Sequence, residues 1–188
     1  MHRNGIAVKD YSHLVKVNRT VNIERVFLTK EELFRLRDAE CDPLLKGACF
    51  LSLQTGLRIS DIIRLELEHI RDGAIHLDMQ KTGDFIRIPL TQAASEIIDG
   101  YSPDLFRKIV RNGHMSRALY DWADRAGVHK HLSFHVFRRT FAQMQVNGGK
   151  DIRNVQHLLG HRSVVTTEQY LDTPNVEVID PFSVPERC

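Results

Sequence analysis

The sequence lacks most of what stabilises secreted or membrane-spanning chains. Only three cysteines occur in 188 residues (Cys41, Cys49 and Cys188), an odd number with no CxxC spacing. That pattern argues against a disulfide framework or a four-cysteine zinc site and for a reducing, cytoplasmic compartment. Long apolar runs are missing too. The longest, such as Ala48-Cys49-Phe50-Leu51, fall far short of the ~20 residues that span a bilayer. No apolar segment near Met1 has the form of a signal peptide, so no membrane partner is expected. Internal repeats and low-complexity tracts are absent. Net charge is also scarce: 26 Lys and Arg against 24 Asp and Glu leave only +2.

What is present is 42% hydrophobic residues, enough for the core of one domain, with tails. The small net charge hides an uneven distribution. Residues 105–162 hold eleven Lys or Arg and three Asp or Glu, a balance of +8, while the remainder carries −6. A basic segment beside an acidic one fits an anion-binding face, and a solvated helical surface would look the same.

Residues 1–28 show no sustained period and are expected to form an arm or linker. Thr29-Lys30-Glu31-Glu32 is a capping box, and the helix it starts should run to about Glu40. A buried helix is expected from Pro43 to a stop at Gly56, and a third from Arg58 to Leu67, with Ile59, Ile62 and Ile63 on one face. The only clear β signal follows. Residues 74–79 and 85–89 alternate around a turn containing Gly83, which predicts a hairpin. Thr91 should cap a short helix to Asp99. Further helices are predicted at 104–111, 114–126, 134–146 (capped by Ser133), 151–159 and 164–171. The fold class is mainly α with one small antiparallel sheet.

Candidate site residues are ambiguous one by one. Phe134, Phe137, Phe141 and Met144 form a core stripe, which places His135 and Arg138 together on a neighbouring face of the first turn. An imidazole and a guanidinium at a helix N-terminus can seat a phosphate, although a surface pair explains His-x-x-Arg as well. Arg58 opens a helix with Asp61 three residues on, within reach to orient it or to form an ordinary ion pair. Lys81 lies at a hairpin turn, where solvated lysines are common. His157 and His161 have the spacing of a zinc-binding pair, but Gly160 interrupts it and no acidic residue completes a zinc pattern.

The ordered combination is far more specific. Thr55-Gly56-Leu57-Arg58-Ile59-Ser60-Asp61 is followed by Gln80-Lys81-Thr82-Gly83, then His135-Val136-Phe137-Arg138, then Leu158-Leu159-Gly160-His161, and finally Tyr170. Over residues 29–172 the chain resembles the catalytic domain of the tyrosine recombinase (phage integrase) family, whose signature is Arg, Lys, His-x-x-Arg, His or Trp, and Tyr in that order. The resemblance implies that Tyr170 attacks a phosphodiester of double-stranded DNA to give a 3′-phosphotyrosyl link, with His135 accepting its proton. Arg58 and Arg138 would clamp the phosphate, Lys81 would protonate the departing 5′ oxygen, and His161 would donate to the phosphate. Asp61 would hold Arg58 and the local geometry, while Arg139 and Arg162 would contact DNA. Neither a metal nor another cofactor is implied. The expected partners are DNA, further copies of the chain in a tetramer, and DNA-bending accessory proteins, at a nucleoid-associated location.

Two departures stand out. Arg139 replaces the histidine that often follows the second family arginine. The first 28 residues are too few to be the separate core-binding domain of full-length recombinases, so the chain is expected to be a fragment or to depend on a partner. Two alternatives are a type IB topoisomerase, which uses a similar constellation, and a non-catalytic DNA-binding regulator of the same fold. The first would relax supercoils without paired sites. The second would lack a nucleophile or an arginine, and that mark is absent here because no member of the constellation is missing. The tail, residues 173–188, carries Val176, Val178, Ile179, Phe182 and Val184. It is expected to pack on its own chain in a monomer and on a neighbouring protomer in an assembly.

Overall fold

Thr29 opens the first helix as its spacing predicts. Its hydroxyl accepts the Glu32 N–H at 3.3 Å, and the Glu32 carboxylate accepts the Thr29 N–H at 2.8 Å. This reciprocal pair starts α1 (Lys30–Asp38) in the computed structural model, which describes residues 26–81, 83–101, 106–109 and 115–159. The packed body also takes in Leu28, which the sequence assigned to the arm. Leu28 is fully buried and donates its N–H to the Thr140 hydroxyl at 2.9 Å.

Asp42 caps α2 (Pro43–Thr55) by accepting the Leu45 N–H at 2.9 Å, and Pro43 stands in the first turn, where its missing N–H costs nothing. Nine of the 13 residues of α2 are buried, which makes it the central helix that the other elements cover. The last long helices are α5 (Met115–Arg125), α6 (Phe134–Asn147) and α7 (Ile152–Leu159). Phe50 of α2 meets Trp122 of α5 and Phe137 of α6 edge-on, each at 6.2 Å, and Trp122 stacks on Phe137 at 5.9 Å. The indole N–H of Trp122 donates to the Leu36 carbonyl at 3.1 Å, so the largest buried side chain also ties α5 to α1. Phe141, Ala142, Val155 and Leu159 form a smaller cluster between α6 and α7.

The third helix is shorter than expected. α3 covers only Ile59–Ile62. Arg64 and Leu65 donate to the carbonyls three residues back, at 3.2 and 3.1 Å, which tightens the turn. The Glu66 N–H then donates to His69 Nδ1 at 2.9 Å instead of continuing the ladder. A 3-10 turn at Leu67–His69 leads into the sheet.

The predicted hairpin pairs β2 (Ala74–Asp78) with β3 (Phe85–Pro89), with His76 opposite Arg87 and Asp78 opposite Phe85. A two-residue strand, β1 (Ile70–Arg71), adds a third member in the order β1-β2-β3. Its connection to β2 is Asp72-Gly73, with φ of 51° and 64°. Both angles are left-handed, as a two-residue turn matching the strand twist requires. Thr91 caps α4 (Gln92–Gly100) through the Ala94 N–H at 3.1 Å. Of the helix expected at 104–111, residues 106–109 form a 3-10 turn and the rest lies outside the described residues. The stop at Gly160, the helix expected at 164–171 and the tail also lie outside them. Among the described residues no helix is long and apolar enough to cross a membrane.

Candidate active site

Four of the residues singled out by their order in the sequence meet in one cleft. Arg58, Lys81, His135 and Arg138 line a cavity of about 390 Å³, with Ser60 and His131 beside them. They arrive from three separate parts of the fold. Arg58 stands at the N-cap of α3, Lys81 in the β2–β3 turn, and His135 and Arg138 on the first turns of α6. No acidic side chain lines this cleft among the described residues.

The end of α2 delivers Arg58. Gly56 adopts φ 70° at the C-cap, and a Cβ there would lie 2.6 Å from the Phe141 ring. Only glycine fits this bend without displacing a core aromatic. Ser52 Oγ donates to the Leu57 carbonyl at 2.8 Å, and Leu57 N–H donates to Thr55 Oγ1 at 3.2 Å, so the segment before Arg58 is stitched to the helix. The Arg58 side chain itself is lightly held. Its guanidinium donates to the Met79 sulfur at 3.7 Å, a weak acceptor that an incoming phosphate can replace.

Arg138 is held quite differently. It is only 1% exposed. Its guanidinium donates to the Gly56 carbonyl at the end of α2 and to the Leu159 carbonyl at the end of α7. The negative ends of two helix dipoles thus orient one cation.

His135 is solvent-accessible at the second position of α6. Its pKa lies below the usual histidine value of 6.5, first because the ring is partly desolvated, then because Arg138, Arg139, Arg58 and Lys81 all repel a proton on it. The ring is therefore neutral at neutral pH, the form that can accept a proton. Ser133 occupies the N-cap of α6 with extended backbone, but its side chain makes no capping bond. The predicted cap is correct in place and not in its hydrogen bond. Arg139 follows on the same helix and is half-buried.

The expected pairing of Asp61 with Arg58 does not form. Asp61 is fully buried and accepts the Gln80 N–H at 2.9 Å, with Arg64 3.9 Å away. Its partner is thus the residue before Lys81, across 19 positions of sequence. Sequence reasoning also missed Met79, whose place in the strand alternation marks it only as a core residue, and His131, which lies in no periodic segment. His161, Arg162 and Tyr170 lie outside the described residues.

Cations converging on one cleft, a neutral imidazole and an exposed ammonium suit a phosphodiester. The arginines can bind non-bridging oxygens, the imidazole can take a proton, and the lysine can give one.

Residues 26–175 match the phage integrase family, and the chain belongs to it. That stretch includes His161, Arg162 and Tyr170. The tyrosine recombinase XerD of Mycobacterium tuberculosis is 36% identical over 139 residues, covering 64% of this chain and 45% of the relative. The chain thus spans about half the length of the curated relatives it matches. Among solved structures, the catalytic core of lambda integrase aligns with a TM-score of 0.56 at 27% identity, over 73% of this chain and 93% of that one. A lambda integrase dimer bound to a COC′ core site aligns with a TM-score of 0.61 at 26% identity, over 82% of this chain and 62% of that one. The fold is that of a tyrosine recombinase catalytic domain.

Proposed function

We propose that this chain is the catalytic domain of a site-specific DNA recombinase or integrase. The observation that carries the reading is the meeting of Arg58, Lys81, His135 and Arg138 in one cleft, in the order the family signature requires. Tyr170 Oη attacks the phosphorus, forming a P–O bond to tyrosine, and the phenolic proton passes to His135. The bond from phosphorus to the 5′ oxygen breaks, and Lys81 donates its proton to that oxygen. Arg58, Arg138 and His161 balance the charge that builds on the non-bridging oxygens. The phosphotyrosyl ester conserves the bond energy, so a second 5′-hydroxyl can reverse the step without ATP. Arg139 and Arg162 contact the DNA backbone. Double-stranded DNA is the substrate, and pairs of sites are brought together by a tetramer of the chain in the cytoplasm, at the nucleoid, with DNA-bending accessory proteins where the site requires them. The dimer of its structural neighbour on a DNA core site supports the DNA and the self-association.

The test uses a nicked suicide DNA carrying the cognate site. A covalent protein–DNA adduct is expected in EDTA and is expected to vanish in Tyr170→Phe. An adduct that depends on divalent metal, or survives loss of Tyr170, would sink the mechanism. Supercoiled plasmid distinguishes the topoisomerase alternative, which would relax it at any sequence.

A further inference from the structure

Asp61 is buried in a way the proposed function does not require. Its carboxyl group is wholly withdrawn from water, one oxygen accepts a single backbone N–H from Gln80, and the other has no hydrogen-bond partner among the described residues. Arg64, 3.9 Å away and 41% exposed, is a distant counter-charge. Burial with so few partners is costly, and an apolar side chain at this position would serve the fold better. The one strong bond that Asp61 makes therefore indicates its role.

That bond falls on the turn carrying Lys81. The turn closes on itself through Gly83 N–H to the Met79 carbonyl at 2.7 Å and Met79 N–H to the Asp84 carbonyl at 3.0 Å. Both of these bonds lie within the hairpin. The Asp61–Gln80 bond ties the turn to α3, more strongly than the 3.7 Å contact of Arg58 with the Met79 sulfur, and it lies one residue before Lys81. Lys81 is exposed, and a lysine side chain loses ~2 kcal/mol of rotamer entropy when fixed. Anchoring the adjacent backbone is an efficient way to limit where the ammonium can go.

We infer that Asp61 is a positioning residue for Lys81, acting through the Gln80 backbone N–H and not through Arg58. The inference rests on the reading of Lys81 as the proton donor to the 5′ oxygen. What Asp61 controls is then the proton delivered to the leaving group, and a leaving group that needs no proton should make Asp61 dispensable.

The test compares the unsubstituted chain, Lys81→Ala, Asp61→Ala and Asp61→Asn on two suicide DNAs, one ordinary and one with sulfur in place of the bridging 5′ oxygen. On ordinary DNA, Asp61→Ala should slow adduct formation by roughly 10- to 100-fold, part of the 10²–10⁴ that a general acid supplies. On the sulfur DNA it should return to within about 3-fold of the unsubstituted chain, as should Lys81→Ala, because a thiolate leaves unprotonated. Asp61→Asn keeps an acceptor oxygen for Gln80 and should retain most activity on both. Persistence of the Asp61→Ala defect on sulfur DNA, or an equal loss in Asp61→Asn, overturns the inference. A Lys81→Ala defect that sulfur does not relieve removes the acid role itself, and absence of any adduct with the unsubstituted chain removes the recombinase reading. A second measurement needs no cleavage. In the full chain, exchange of the Gln80 amide should accelerate at least ~10-fold in Asp61→Ala and stay near the unsubstituted rate in Asp61→Asn, with α2 and α6 unchanged. Unaltered Gln80 exchange in Asp61→Ala overturns the inference whatever the activities.

Discussion

Arg58 and Arg138 reach the same cleft by opposite means. Arg138 is built into the core, its guanidinium shared between the carbonyl ends of α2 and α7. Arg58 sits at the mouth of a four-residue helix with a thioether as its only hydrogen-bond partner among the described residues. One arginine is part of the frame and the other is carried by it. The difference teaches that two chemically equivalent side chains lining one cleft need not contribute equally to folding. The deep one is fixed by two carbonyls, and the shallow one can exchange its thioether for a stronger acceptor.

Substitutions can break this contrast. Arg138→Ala should have the largest effect, removing adduct formation and costing roughly 2–4 kcal/mol in stability, because two buried carbonyls lose their donor. Urea unfolding measures the second quantity, and an unchanged midpoint would show that Arg138 is not part of the frame. Arg58→Ala should lower the cleavage rate by about 10²–10³ while moving stability by no more than about 0.5 kcal/mol. A large stability loss there would make the two arginines equivalent. Gly56→Ala strikes the joint that Arg138 holds. The left-handed φ and the Phe141 contact predict a loss of roughly 1–3 kcal/mol, readable as a drop in thermal midpoint.

The remaining predictions concern the neighbours of the pair. If His135 accepts the Tyr170 proton, the acidic limb of the cleavage rate should fall below pH 6.5, since burial and four cations lower its pKa. Arg139→Gln removes one of those cations and should move the limb upward; a limb that stays put would separate Arg139 from the site. Stability should follow the same group in a small way. Between the folded pKa and 6.5 the unfolded chain binds more protons, so stability declines as pH falls through that window and its His135 contribution is fully present above it. Met79→Leu should have the smallest effect. It keeps the volume and removes the sulfur acceptor, which predicts less than 1.5 kcal/mol of destabilisation and a change in cleavage rate of about 3-fold or less. A severe loss would mean that the thioether, rather than phosphate, sets the working position of Arg58.

Much of this was legible in the sequence where the determinants are local. Thr29, Asp42 and Thr91 each bond an amide within three residues, so their helices could be read from short windows. The alternation of 74–79 and 85–89 gave the hairpin for the same reason. The failures involve competition or distance. α3 stopped at Ile62 although the apolar pattern continued, with Arg64 and Leu65 tightening the turn before His69 accepted the Glu66 N–H. The two-residue β1 is too short to alternate, although Asp72-Gly73 is a turn signal that could have indicated it. The partners of Arg138 lie 82 and 21 positions away and are backbone carbonyls, which carry no residue-specific mark. The order of Arg58, Lys81, His135 and Arg138 singled out residues that line one cleft; which of them is buried, and that Asp61 bonds the lysine turn, depend on packing.

Gly56 has a consequence for heredity. Its missing side chain leaves room for Phe141, its left-handed backbone ends α2, and its carbonyl receives Arg138. The first two requirements fall on one codon, and a replacement that moves the backbone would disturb the third as well. A replacement at Gly56 alters the background against which every later change at Phe141 or Arg138 is judged. Double-mutant cycles among these three positions should therefore be strongly non-additive.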